Sequence, residues 1–423
     1  MLKCGFEICK PLVCWRLESK PPHTNFKFRS FIAVHSDKHH FQSKPPPVLP
    51  NHLSPDSPRT LKFVSDRLLA ELSAELRGPN VLVLLMHGTT LASALRESRP
   101  DLKFTFFTTE HFFYRTLQAF HADVMLTPDA VGIVCAADLP EQEFDEVIFP
   151  TLSGDSSELA QDLIQAAHQR LRSGGRLFAS TNNPKDRWVQ NQLKALFSKV
   201  DVLKHKQGTA CIATKTNPLK KEKGFRARFA FRQSDRLAFV ESRPGVFCHR
   251  RVDGGGRALI RSLALLKGQN GQPEFKPQRI VEMGCGSGAV SVAAAIEYSE
   301  AEILAVDSDA RAVECTQRSA ALNEITSIRT LLASDGVLPE PGTWDLLLGN
   351  PPYYSDYRIS ELFLQAARTG LREGGRIHIV TKLLEWHQAR MEQLFGHVTQ
   401  NVISEYTVFT AVARNKPGSK TRR

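Results

Sequence analysis

Laid on itself at an offset of 200 residues, this chain matches in three places and in one register. Leu171-Arg172-Ser173-Gly174-Gly175-Arg176 meets Leu371-Arg372-Glu373-Gly374-Gly375-Arg376. Gln165-Ala166-Ala167 meets Gln365-Ala366-Ala367, and Phe144-Asp145-Glu146-Val147-Ile148 meets Trp344-Asp345-Leu346-Leu347-Leu348. A Gly-Gly turn before a strand recurs in many αβ units. That accounts for one match but not for the shared register. A repeat of this period makes the chain two copies of one unit.

Within each copy, short apolar runs alternate with longer amphipathic stretches, the pattern of βαβ units. In the second copy the pattern predicts strands at 279–283, 302–306, 328–332, 344–349 and 375–380. It predicts helices near 288–299, 310–322, 357–371 and 383–395, and closing antiparallel strands from Val402 to Ala413. The first copy repeats this from about Pro79 to Thr216. The expected fold is α/β, with two tandem, mostly parallel twisted sheets carrying helices on both faces and closing antiparallel strands. The expected organisation is a leader at 1–58, a first domain at 59–216, a basic linker and lead-in at 217–240, a second domain at 241–415 and a basic tail at 416–423.

At 423 residues the chain has room for two domains with real cores. Its formal net charge of +11 suits a polyanionic partner, nucleic acid being the commonest. The eight cysteines form no CxxC pair, which argues against a zinc site or a disulfide framework and for a reducing compartment, the cytoplasm. No apolar run approaches the roughly 20 residues that span a bilayer. The leader, rich in Pro, His and Lys, reads as disordered or as an extension from an upstream start. It reads less well as an organelle transit peptide, because Glu7, Glu18 and Asp37 interrupt it. The cations between Asn217 and Arg236 are read as a solvated run rather than an RNA contact.

Arg279-Ile280-Val281-Glu282-Met283-Gly284-Cys285-Gly286-Ser287-Gly288 is a buried strand entering a glycine-rich turn before an Ala-rich helix. Such glycines let backbone approach a ligand at φ > 0, and a helix N-terminus favours an anionic group. Dinucleotide enzymes use a similar turn. Two acids narrow the choice. Asp307 ends the next apolar run, 23 residues after Gly284, where it can accept both hydroxyls of a ribose. Asp335, after the third strand, can meet an adenine amino group. The structural alternatives are a helix N-cap for Asp307 and a turn for Asp335. Asp309 is the better N-cap, which leaves Asp307 for a ligand.

Asn350-Pro351-Pro352-Tyr353 follows the fourth strand. Two prolines cannot continue a strand and make a stiff loop at the sheet edge. The exocyclic amine of a base is a poor nucleophile, because its lone pair is delocalised into the ring. The Asn350 side-chain oxygen and the Pro351 carbonyl can accept its two N–H bonds, aim the lone pair and offset the charge developing on nitrogen. Tyr353 can stack on the ring.

Together these elements resemble the class I methyltransferases, whose amino-directed branch carries this tetrapeptide. Gly245-Val246-Phe247 and Val252-Asp253-Gly254-Gly255-Gly256, upstream of the first strand, look like a family lead-in. With a degenerate first copy, the chain is similar over about 60–415 to the ribosomal RNA small-subunit methyltransferase C type. The resemblance implies two Rossmann-like domains and S-adenosyl-L-methionine as cofactor. It implies a cofactor set of Glu282, Gly284, Cys285, Gly286, Gly288, Asp307, Asp335 and Asn350, and a catalytic set of Asn350, Pro351, Pro352 and Tyr353. No metal or membrane is implied. The partner is ribosomal RNA or the small ribosomal subunit, and a monomer is expected.

The family usually has Phe where Tyr353 stands, and His-Asp-Gly where Tyr354-Ser355-Asp356 stands. The implied reaction is methylation of guanine N2 in 16S rRNA. The alternatives are guanine N2 in 23S rRNA, adenine N6, a protein glutamine amide, a non-catalytic RNA-binding or assembly role, and a nicotinamide oxidoreductase, against which the tetrapeptide weighs. At the 200 offset Asp307 meets Phe107, Asn350-Pro351-Pro352-Tyr353 meets Pro150-Thr151-Leu152-Ser153, and the glycine turn meets Leu85-Met86-His87-Gly88-Thr89. The first copy is therefore expected not to bind cofactor.

Overall fold

In the first copy, α1 (Val64–Glu71) precedes β1 (Asn80–Leu84), α2 (Thr90–Ser98), β2 (Lys103–Thr108), α3 (His111–Phe120), β3 (Val131–Cys135) and β4 (Phe144–Thr151). Then come α4 (Ser157–Arg170), β5 (Leu171–Thr181), α5 (Trp188–Leu196), β6 (Lys199–Lys204) and β7 (Thr209–Thr214). A hairpin, β8 (Ala227–Gln233) and β9 (Arg236–Ser242), leads to the second copy. That copy holds α6 (Gly254–Ser262), β10 (Arg279–Met283), α7 (Ala289–Glu297), β11 (Glu302–Asp307), α8 (Ala310–Leu322), β12 (Ile328–Leu332) and β13 (Trp344–Gly349). It ends in α9 (Arg358–Gly370), β14 (Leu371–Thr381), α10 (Leu384–Phe395), β15 (Val398–Ile403) and β16 (Tyr406–Val412). The computed structural model describes residues 61–120, 131–154, 156–267 and 274–414, so the leader and the tail lie outside the described residues.

Both copies form seven-stranded sheets of one topology, β3-β2-β1-β4-β5-β7-β6 and β12-β11-β10-β13-β14-β16-β15. In each sheet one strand is reversed, β7 or β16, which pairs antiparallel with both of its neighbours, and the other six strands run in the same direction. The central strands β4 and β13 are buried along their whole length, as expected where helices cover both faces of a parallel sheet. Two tandem Rossmann-like folds are thus present, both within one compact unit, Pro58–Arg423. No described helix is long and apolar enough to cross a membrane.

Some boundaries differ from expectation. The strand predicted at 375–380 starts at Leu371, which already pairs with Trp344 before a register shift. The closing pair starts earlier, at Val398. The stretch read as a linker contains the β8–β9 hairpin. Its alternate residues Ala227, Phe229, Phe231 and Gln233 are half-buried while Arg228 and Arg232 face out. The period of two was present but masked by the basic residues.

The repeated residues form one structural clamp, made twice. Asp345 is buried at the start of β13, and its Oδ2 accepts from the backbone N–H of Gln278 and of Arg279, both at 2.8 Å. Its Oδ1 pairs with Arg372. In the first copy Asp145 accepts from Asn80 N at 2.9 Å and pairs with Arg172 at 2.6 Å. A Cβ on Gly375 would lie 2.9 Å from the Trp344 carbonyl oxygen, and one on Gly175 2.8 Å from that of Asp145. The shared register of Asp and Arg-x-Gly-Gly thus records a strand-end lock.

Asp345→Ala should lower stability by about 2–4 kcal/mol, because two buried N–H groups lose their acceptor. Arg372→Ala, whose guanidinium is half-exposed, should cost under about 1 kcal/mol. Urea unfolding of the two variants measures the difference, and equal losses would contradict the clamp.

Candidate active site

The register of the second sheet brings the three marked loops together. Met283, at the end of β10, pairs with Gly349 on one side and with Val306 on the other. The turn from Gly284 therefore emerges between Asn350 and Asp307. Gly284, Gly286 and Gly288 have φ of +73°, +55° and +81°, left-handed values that favour glycine. A Cβ on Gly288 would press on Thr316 Cα at 2.9 Å, whereas one on Gly286 would meet nothing within 4 Å. Gly288 thus packs the turn onto α8, and Gly286 opens to the space above the sheet. Cys285 is buried beneath, its thiol receiving a bond from Thr316 Oγ1 at 3.3 Å. Burial pushes its pKa up.

Asp307 is prepared by backbone. Its Oδ2 accepts from Gly286 N at 2.9 Å and its Oδ1 from Asp309 N at 3.0 Å. Asp309 caps α8, accepting from Arg311 N at 2.6 Å. Each Asp307 oxygen keeps lone pairs for a further donor. Burial raises the Asp307 pKa despite these bonds.

Glu282 lies below the turn, buried on β10 and bonded by the Ser291 hydroxyl of α7. Its carboxyl is pushed up to about 8 by burial, with Asp307 and Asp253 adding repulsion against the lowering Ser291 bonds. It stands under the site rather than at its mouth. Asp335 follows β12, with Oδ1 accepting from Val337 N at 3.1 Å and Oδ2 from Arg115 Nη1 of the first copy at 2.7 Å.

Sequence reasoning missed the part played by Asp253, although it noted the lead-in. Asp253 caps α6 through Gly255 N at 2.9 Å and Gly256 N at 3.1 Å. The same carboxylate accepts from Asn350 Nδ2 at 3.1 Å. With its NH₂ turned to Asp253, the Asn350 amide leaves its oxygen as the open acceptor. A Cβ on Gly255 would lie 2.5 Å from Asn350 Oδ1, so that glycine makes room for the amide. The signal available in the sequence was Asp before Gly-Gly-Gly, an N-cap pattern.

Tyr353 is 45% exposed at the loop, with a phenol pushed up to about 12 by burial and by its neighbours Tyr406 and Asp253. Beyond it Ser355, Asp356 and Tyr357 all have positive φ, a conformation costing about 1–2 kcal/mol per residue outside glycine. Tyr357 stacks on Trp386 with ring centroids 4.5 Å apart, which anchors the end of this segment. Among the described residues no cluster of three or more His, Cys, Asp or Glu could hold a metal ion.

The structure corrects the comparison of the two copies. Asn80 pairs with Lys103, and Arg279 with Glu302, so the early strands correspond at an offset of 199. The later ones, Phe144 and Trp344, correspond at 200. One extra residue lies between Asp307 and Trp344. Asp307 therefore corresponds to Thr108, not Phe107. Thr108 Oγ1 accepts from Glu110 N at 3.1 Å just as Asp307 accepts from Asp309 N, but it carries no carboxylate. Gly88 then falls opposite Ser287, and Leu85, His87 and Thr89 stand opposite Gly284, Gly286 and Gly288.

Residues 238–410 match the family model of the methyltransferase small domain. This half of the chain is thus similar to the methyltransferase small domain. The curated relatives include a ribosomal RNA small subunit methyltransferase C of Pseudomonas entomophila, 28% identical over 61% of this chain and 76% of its own. A ribosomal RNA large subunit methyltransferase G of Streptomyces coelicolor is 29% identical over 40% of this chain and 45% of its own. Among solved structures, the T. thermophilus 16S rRNA N2 methyltransferase, in complex with AdoMet and guanosine, superposes with a TM-score of 0.67. It is 21% identical and covers 82% of this chain and 92% of its own. That likeness extends the tandem fold of the methyltransferase domain across both copies.

The carboxyls around the site set a pH dependence. Burial raises Glu282 to about 8, Glu110 to about 7 and Asp309 to about 6. Each favours the folded chain while protonated, so its contribution is complete below the usual carboxylate range. It is lost as pH rises through those folded values. The urea midpoint should fall from pH 5 to pH 8, and Glu282→Gln should flatten the fall. A midpoint that rises over this range would contradict the assignment.

Proposed function

We propose that this chain transfers a methyl group from S-adenosylmethionine to the exocyclic N2 amine of a guanine in ribosomal RNA, with the 16S RNA of the small subunit as substrate. The observation that carries the reading is the Asn350 amide, turned by Asp253 so that its oxygen is the open acceptor beside the glycine turn and Asp307. The relatives named for the small subunit match more of this chain than the large-subunit relative does. The charge of +11 supports an RNA partner.

In this reading Asp307 accepts the ribose hydroxyls and the turn 284–288 lies along the donor. Glu282 and Cys285 support the turn from beneath. Asp335 faces the adenine amine. S-adenosylmethionine, when bound, supplies a methyl group already activated by its sulfonium. Asn350 Oδ1 and the Pro351 carbonyl accept the two N–H bonds of the guanine amine, align its lone pair and offset the charge that grows on nitrogen. Pro351 and Pro352 keep the acceptors rigid. Tyr353 stacks on the flipped base. The first copy, with Thr108 at the ribose position and Pro150-Thr151-Leu152-Ser153 at the tetrapeptide, has no cofactor site and serves as scaffold. The chain works as a monomer in the cytoplasm, on rRNA or on the small subunit.

Asn350→Ala should reduce transfer of labelled methyl to rRNA by about 100-fold or more, the scale of losing a preorganised transition-state partner. Cofactor affinity by calorimetry should change much less than transfer, because the Asn350 contact to the donor is made in the ground state as well and its acceptor is used chiefly on the amine. Mass spectrometry should find N2-methylguanosine in small-subunit RNA. Undiminished transfer by the variant, or label in large-subunit RNA alone, would overturn the proposal.

A further inference from the structure

The two acidic turns assigned to adenosine are each held by the first copy. The turn after β11 joins the turn after β2 through an isolated antiparallel bridge, Glu110 to Asp309. His111 N donates to Ser308 O and Ala310 N to Thr109 O, both at 2.8 Å. Ser308 Oγ donates to Glu110 Oε2 at 3.0 Å. The His111 ring nitrogen Nδ1 lies 3.1 Å from Ser334 Oγ, and one turn further along α3 Arg115 binds Asp335 at 2.7 Å. These contacts join the first turns of α3 to the ends of β11 and β12.

The Arg115–Asp335 pair is exposed on both sides, at 51% and 38%. A pair so placed adds little to folding stability. What it does is fix a side chain. Asp335 sits beyond the edge strand β12, in a turn with Gly336 at φ +69°. From outside that turn its carboxylate is oriented by the guanidinium of the first copy. Arg115 occupies part of one oxygen and leaves further lone pairs on both.

The geometry points to an adenosine site completed in cis by the first copy, in which Arg115 is a positioning residue that sets Asp335 to read the exocyclic amine of adenine. His111 and Glu110 hold the neighbouring Ser334 and Ser308 in register. The inference rests on the reading of the second copy as the cofactor site. It gives the degenerate copy a part in ligand selection.

The test uses the full chain and two probes, S-adenosylhomocysteine and its inosine counterpart, which lacks the amine. Calorimetry should show the wild type preferring the adenine form by roughly 10-fold or more, the scale of one oriented hydrogen bond. Arg115→Ala should reduce that preference below about 3-fold, with the melting temperature within about 2 °C of wild type because the pair is exposed. Arg115→Lys should restore part of the preference, and Asp335→Asn should lose it. If Arg115→Ala fails to fold, Arg115→Gln carries the same test. An unchanged preference with Arg115 replaced overturns the inference. Asp307→Ala serves as the separate control: it should abolish binding of both probes, and if it binds both as wild type does, the cofactor-site reading itself has failed.

Discussion

Arg311 is 1% exposed, and its guanidinium ties the two copies into one body. It donates to Asp162 of α4 at 2.8 Å, to the Pro244 carbonyl at 2.8 Å and to the Ala137 carbonyl at 3.1 Å. Arg243 beside it binds Asp138 at 2.5 Å and Glu314 at 2.8 Å. A buried cation left without partners costs several kcal/mol, so this arrangement holds only when both copies are in place. Arg311 lies in the first turn of α8, the helix capped by Asp309 directly behind Asp307. Docking α8 onto the first copy therefore also fixes the turn on which the candidate ribose acceptor stands.

The repeat has a different meaning from the one its matching residues first suggest. The residues shared in register, Asp145 and Asp345 with Arg172 and Arg372, serve strand ends far in function from the tetrapeptide. They persist in both copies because buried backbone N–H groups need an acceptor wherever the sheet is built. The loops at the carboxyl edge are where the copies diverge: Thr108 for Asp307, Leu85 for Gly284, Pro150 for Asn350. The architecture is kept in both copies, and the residues proposed to carry the chemistry in one.

Much of the second copy was legible. Its strands and helices lay within a few residues of expectation, because continuous apolar runs and capped amphipathic stretches announce themselves locally. Asp309 as the cap of α8 followed from the same local chemistry. The β8–β9 hairpin was hidden under arginines, since a half-buried strand with cations on its open face looks like a charged linker. Asp253 escaped as a partner of Asn350, because 97 residues separate them and only the fold brings an N-cap against a loop amide. The position of Glu282 was also out of reach: a residue on a strand entering a glycine turn can face the ligand or the helix, and Ser291 decides it.

By itself the sequence determined that there are two copies of an α/β unit, and which of them has a glycine turn, an acid at the strand end and the Asn-Pro-Pro-Tyr tetrapeptide, and hence where the proposed chemistry is placed. Those features are short-range: a few consecutive residues carry each. Tertiary structure alone decided the alignment of the copies, because strand pairing, not residue count, says that Asp307 answers to Thr108. It also decided which way the Asn350 amide turns, and that Glu110, His111 and Arg115 of the first copy reach the acidic turns of the second. Those outcomes depend on contacts between residues about 100 to 220 positions apart, and no local pattern encodes a contact whose two halves are set by the packing of different elements.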